Sequence, residues 1–97
     1  MKKIEFNIRM FNPKSTDILT TKKKGYLFKT DDNFYGVDHR VGNYWVVSEL
    51  KTGLKVCEMN RLYEVHSQIT DELDKKVTER LNRINKDNYV NDIEIYK

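Results

Sequence analysis

Residues 3–11 alternate with a period of two: Ile4, Phe6, Ile8 and Met10 fall on one side, Lys3, Glu5, Asn7 and Arg9 on the other. Successive side chains of extended backbone point to opposite faces, so this pattern predicts a strand with one face buried. Asn12-Pro13-Lys14-Ser15 ends it, because Pro13 lacks a ladder N–H and fixes φ for a turn. A second strand is predicted over 17–21. The loop Lys22-Lys23-Lys24-Gly25 interrupts or bends it before extended structure resumes over 26–29. Thr30-Asp31-Asp32-Asn33 is a turn cluster of short side chains that bond to nearby backbone. Residues 34–41 form the next strand, closed by Gly42-Asn43, and residues 44–50 are aromatic and β-branched, the strongest strand pattern in the chain. Lys51-Thr52-Gly53 then makes a short loop whose glycine supplies positive φ beside a bulge, and 54–59 return as the hairpin partner.

At Asn60 the rhythm changes. Leu62, Val65, Ile69, Leu73, Val77, Leu81 and Ile84 recur at spacings of three and four, one apolar stripe of a helix. Asn60 is a natural N-cap and 85–88 end the pattern. A helix over 60–86 spans nearly ~38 Å, whereas a six-residue strand spans about 20 Å. The overhang predicts either a homodimer formed through the helix or a break near Ser67, where Thr70-Asp71-Glu72 offers a second cap. Residues 92–96 alternate again and suit a terminal edge strand. The predicted fold is therefore α+β within one domain, 1–97. An antiparallel meander of four to six strands (3–59) packs on one long C-terminal amphipathic helix (60–86).

Composition narrows the picture. With 97 residues, 38% apolar and 34% charged, the chain supports a thin core, as one sheet covered by one helix requires. The 11% of aromatic residues argues for a folded chain. Cys57 has no cysteine partner, the N-terminal lysines precede no apolar run, and no stretch approaches the ~20 apolar residues of a membrane span. These features predict a cytoplasmic protein without membrane contact. Abundant Lys, Asn and Ile with no Ala suggest an AT-rich coding sequence, as in many Gram-positive bacteria and their phages. Residues 1–59 carry eleven Lys or Arg against seven Asp or Glu, and residues 60–97 carry seven against eight. The sheet half is mildly basic, enough to meet an acidic partner, but short of a dedicated nucleic-acid patch.

Catalytic and metal chemistry find little support. Cys57 with His39 or His66 has no accompanying oxyanion motif, and their spacing matches no zinc site. The four glycines are isolated, so no phosphate loop exists. Asp71, Glu72, Asp74 and Glu79 read as the solvated face of the helix. No enzyme activity, cofactor or metal is expected.

Basic and aromatic residues are more informative. Lys22, Lys23 and Lys24 could reach phosphates while Tyr26, Tyr35, Tyr44 or Trp45 stack on bases; equally, the lysines could guard an edge strand. One thin core does not need every aromatic, so some of Phe11, Tyr26, Tyr35, Trp45 and Tyr96 are left for the other sheet face, as a protein-binding patch or a second small cluster covered by the N-terminal loop. In the binding reading Trp45 or Tyr44 is the anchor, and Lys22, Lys23, Lys24 and Arg40 steer towards an acidic or nucleoprotein partner.

The run Trp45-Val46-Val47-Ser48, leading into Thr52-Gly53, resembles a hairpin of small accessory proteins of phages and other mobile elements. In size and style the chain is similar to phage-encoded inhibitors of bacterial defence, including anti-CRISPR proteins. That resemblance implies a cofactor-free inhibitor or modulator of a host protein, acting by occupying a surface. It transfers no catalytic residue, and this chain is basic where many such inhibitors are acidic nucleic-acid mimics. The expected function is a non-catalytic protein-binding module, with nucleic-acid binding through the sheet face and the Lys22–Lys24 loop as the alternative.

Overall fold

A computed structural model describes residues 1–10 and 18–97. Five strands, β1 (Lys2–Met10), β2 (Leu19–Lys29), β3 (Phe34–Arg40), β4 (Tyr44–Glu49) and β5 (Lys55–Met59), form one antiparallel sheet in the order β1-β2-β3-β4-β5. The meander and the α+β class agree with the sequence pattern. The turn over 12–15, the start of the second strand at Asp17 and the side chain of Phe11 lie outside the described residues.

The lysine run departs from expectation. Lys22, Lys23 and Lys24 are not a loop; they lie inside the eleven-residue strand β2. β2 changes partners along its length: residues 19–27 pair with β1, while only residues 26–29 pair with β3. Gly25 marks the parting. A Cβ there would stand 2.1 Å from the Val37 carbonyl oxygen, so only glycine lets the strands approach before they diverge. The β1–β2 hairpin thereby curls over one face of β3. Phe6 of β1 reaches across to lie on Gly36, whose Cβ would meet its ring at 2.7 Å. Arg9 donates its backbone N–H to Gly53 O at 2.9 Å, bringing β1 against the β4–β5 turn.

Curling gives the sheet a concave and a convex face, each with its own core. Inside the curl, Phe6, Ile8, Leu27, Leu50 and Tyr96 are buried, with Ile4, Phe34 and Ile93 against them. On the convex face Tyr35, Val37, Val47 and Met59 pack under Val65 and Ile69. Each large side chain so buried contributes roughly 1.5–3 kcal/mol. A second cluster is thus present, but it differs from the expected one: the C-terminal segment packs on it through Ile93 and Tyr96, while Tyr35 and Trp45 belong to the other core.

The long helix does not form. A 3₁₀ turn (Leu62–Glu64) leads into α1 (Val65–Gln68), and α2 (Asp71–Leu81) follows after a break. Ile69 leaves helical backbone (ψ 78°), and Thr70 is extended and caps α2, its hydroxyl accepting from Leu73 N at 3.2 Å. The apolar stripe runs through the break because both pieces lie on the same sheet face, so periodicity alone gave no sign of it. Asn60 caps nothing: Arg61 occupies the N-cap position of the 3₁₀ turn, without a side-chain bond. With eleven residues α2 is about 16 Å long, so the overhang that suggested a helix-mediated dimer is gone.

Asp74 is also corrected. It is buried, and its Oδ1 accepts from Tyr35 Oη (2.6 Å), Thr30 Oγ1 (2.9 Å) and Asn33 Nδ2 (2.9 Å), fastening α2 to the β2–β3 turn. At the C-terminus the expected strand over 92–96 is a 3₁₀ turn, Ile93–Tyr96. Three residues per turn align Ile93 with Tyr96 towards the core and leave Ile95 exposed. Asn91 ties this segment down: its side-chain amide accepts from Asn7 N (2.8 Å) and donates to Asn7 O (2.8 Å) and Leu50 O (2.6 Å). It thereby satisfies the outer edge of β1 as a neighbouring strand would.

Candidate binding surface on the convex face

Cross-strand register decides which candidate residues share a face. Lys3 stands opposite Tyr26, Glu5 opposite Lys24 and Asn7 opposite Lys22. Tyr26 stands opposite Val37, and His39 opposite Trp45. With period-two alternation, Lys22, Lys24, Tyr26 and Trp45 all belong to the convex face, joined by Lys3, Glu5 and His39. The helices cover the β3–β5 end of that face and Phe28 of β2, leaving Lys3, Glu5, Lys22, Lys24 and His39 exposed and Tyr26 and Trp45 half-buried.

Four predicted site residues lie elsewhere. Tyr35 has no exposed surface; its ring is core and its hydroxyl serves Asp74. Burial and the Asp74 carboxylate hold the Tyr35 phenol well above its ordinary range. Lys23, Arg40 and Tyr44 alternate onto the opposite face. There Arg40 is engaged by the buried Asp38 carboxylate, forming an ion pair through Nε and a second bond through Nη2. Held in that way, Arg40 is a partner of the fold's own charge.

The accessible residues enclose a groove of about 540 Å³ lined by Lys3, Glu5, Lys24, Tyr26, His39 and Trp45, with Gly25 and Ile4 at its base. Its wall is aromatic: Tyr26 and Trp45 centroids are 6.1 Å apart, and the His39 imidazole lies 4.9 Å from the indole. Its rim is charged. Glu5 lies 4.0 Å from Lys22 and 3.9 Å from Lys24, with the Lys24 side chain 85% exposed. Pairs this open contribute little to stability, so the ammonium groups are free to engage a ligand at small cost. A groove of this kind takes an apolar side chain against the rings and anionic groups at the rim.

Past Tyr26 and Val37 the β2–β3 ladder ends, and residues 19–25 of β2 have no strand partner on that edge among the described residues.

Sequence reasoning missed His39 as a wall, although the tight Gly42-Asn43 turn sets it opposite Trp45. Lys3 and Glu5 carried no local signal, since their place depends on pairing across residues 11–18.

Other features bear on the chemistry. Cys57 is half-buried and burial pushes its thiol up, away from thiolate reactivity. Among the described residues no group of three or more His, Cys, Asp or Glu is placed to hold a metal ion. No helix among them is long and apolar enough to cross a membrane. Between α2 and the β4–β5 hairpin the free space is about 20 Å³, room for little more than one water. A wider cleft of about 720 Å³ beside the C-terminal segment mixes Lys51, Lys86 and Lys97 with Asp32, Asp92 and Glu94 on an open surface. No known protein family, curated protein or solved structure matches the chain, so the reading of the groove rests on its own geometry.

Proposed function

We propose that the protein is a non-catalytic binding module that engages another protein through its convex face, with Trp45 and Tyr26 as anchors and Lys3, Lys22 and Lys24 as a steering rim. The observation that carries this reading is the assembly of an accessible Trp–Tyr–His wall and exposed lysines in one groove. Aromatic anchors inside a ring of polar residues dominate most measured protein interfaces. The resemblance of the β4–β5 hairpin to accessory proteins of phages and mobile elements fits a module that inhibits or modulates a host protein in the bacterial cytoplasm.

Nucleic-acid binding is the second reading, because Lys22, Lys24, Tyr26 and Trp45 share a face. Glu5 weighs against it. A carboxylate held between the two lysines repels a phosphate backbone where neutralisation is needed.

Affinity capture from a bacterial lysate, run in parallel with wild type and Trp45→Ala, tests the proposal. The wild type is expected to retain a stoichiometric protein. The variant is expected to lose at least about 2 kcal/mol of binding, near thirtyfold. Equal retention by both, or binding of bare oligonucleotide at ~50 mM salt with a steep salt dependence, would reject it.

A further inference from the structure

Residues 19–25 of β2 combine two properties that single out one class of ligand. Their edge facing β3 has no strand partner among the described residues, so it offers alternating N–H and C=O groups. Their side chains include three consecutive lysines, Lys22 and Lys24 on the convex face and Lys23 on the other. Lysines on both faces of an open edge repel a second copy of the same edge, which is how natural sheets avoid pairing with themselves. The same lysines attract a strand that carries carboxylates.

Resting on the reading of the convex groove as the binding surface, we propose that the edge of β2 left unpaired by β3, beyond Gly25, receives an extended, acidic segment of a protein partner. The segment adds as a strand to the free edge of β2. Alternate side chains of an added strand face one way. On the convex side, carboxylates meet Lys22 and Lys24, and a large apolar side chain settles against Tyr26, His39 and Trp45. Glu5 selects the backbone type: a peptide brings N–H donors between its charges, whereas a nucleic-acid strand brings a phosphate at every step.

Trp45 is the only tryptophan, so its emission reports on the groove in the full-length protein. The probes are a short synthetic peptide alternating Asp with Phe or Leu, the same peptide with Lys for Asp, the acidic peptide N-methylated at alternate amides, and oligothymidylate. The acidic peptide is expected to shift Trp45 emission saturably and to slow amide hydrogen exchange over residues 20–24. Reversing two rim charges, Lys22→Glu with Lys24→Glu, is expected to weaken it at least about tenfold. N-methylation, which removes donors while keeping charge and side chains, is expected to abolish binding, and the other two probes to leave the emission unchanged.

An N-methylated peptide that binds as well as its parent would overturn strand addition. An equal response to the lysine peptide or to oligothymidylate would overturn acidic polypeptide recognition. No saturable response to the acidic peptide, with capture of a protein still dependent on Trp45, would overturn this inference and leave the binding surface standing. No response together with capture indifferent to Trp45 would remove both.

Discussion

Replacing Asp74 with alanine removes the single oxygen on which three side chains converge. Asn33 retains a bond to Thr78 Oγ1 at 2.9 Å and one to the Asp74 backbone carbonyl at 3.2 Å. Thr30 is half-buried and can turn to water. Tyr35 has no such recourse: its ring is wholly buried and Asp74 is the acceptor of its hydroxyl. The loss is therefore one orphaned buried donor plus weakened charge-assisted bonds, together about 3 kcal/mol. For a chain of this length each 1 kcal/mol shifts Tm by roughly 4–8 °C, so a fall of more than about 12 °C is expected in a thermal scan. Tyr35→Phe alone is expected to cost about 1–2 kcal/mol. Because Tyr35→Phe removes the donor that Asp74→Ala orphans, the double variant is expected to cost less than the sum of the singles by at least about 1 kcal/mol in urea titrations. An Asp74→Ala cost below about 0.5 kcal/mol, the value for an ordinary solvated helix position, would refute the network. Strictly additive singles would refute the Tyr35 contact.

Tyr35 also sets an alkaline limit. Its folded phenol keeps its proton where the unfolded chain's, near pH 10, does not. Stability is thus fully present below about pH 10 and declines above it, by up to about 1.4 kcal/mol per pH unit from this group; Tyr35→Phe is expected to flatten that decline in urea titrations at stepped pH. Gly25→Ala drives a Cβ into the Val37 carbonyl, and a loss of about 3 kcal/mol or more is expected in chemical denaturation. Asn91→Ala frees the Asn7 peptide and the Leu50 carbonyl, and a loss of about 2–3 kcal/mol is expected, with faster amide exchange at Asn7. Thr70→Ala removes the cap of α2 and is expected to cost about 1 kcal/mol.

How far each feature was legible depends on the distance over which it is encoded. The strands Lys2–Met10, Phe34–Arg40 and Tyr44–Glu49 and the positive φ of Gly53 (71°) follow from local alternation and turn chemistry. The break at Ile69 was offered by the Thr70 cap but hidden by a stripe that stays in phase through it. Lys22-Lys23-Lys24-Gly25 read as a loop because propensity is local. The strand there is imposed by nine residues of β1 pairing alongside, with Glu5 between the lysines. Asp74 read as solvated because its partners Thr30, Asn33 and Tyr35 lie some forty positions away, and Ile93–Tyr96 read as a strand because two turns of alternation resemble one 3₁₀ turn over four residues. Of the candidate site, Trp45, Tyr26, Lys22 and Lys24 were recoverable as residue types. Their separation from Tyr35, Tyr44, Arg40 and Lys23 needed the register.

The most direct measurement is hydroxyl-radical footprinting of the protein with the partner that capture recovers. Protection centred on Trp45, Tyr26 and His39, with Tyr63, Tyr89 and Ile95 as reactive as in the free protein, is the result the convex-face account requires. Protection centred on Tyr63 or on the C-terminal segment, with Trp45 and Tyr26 unchanged, would contradict it.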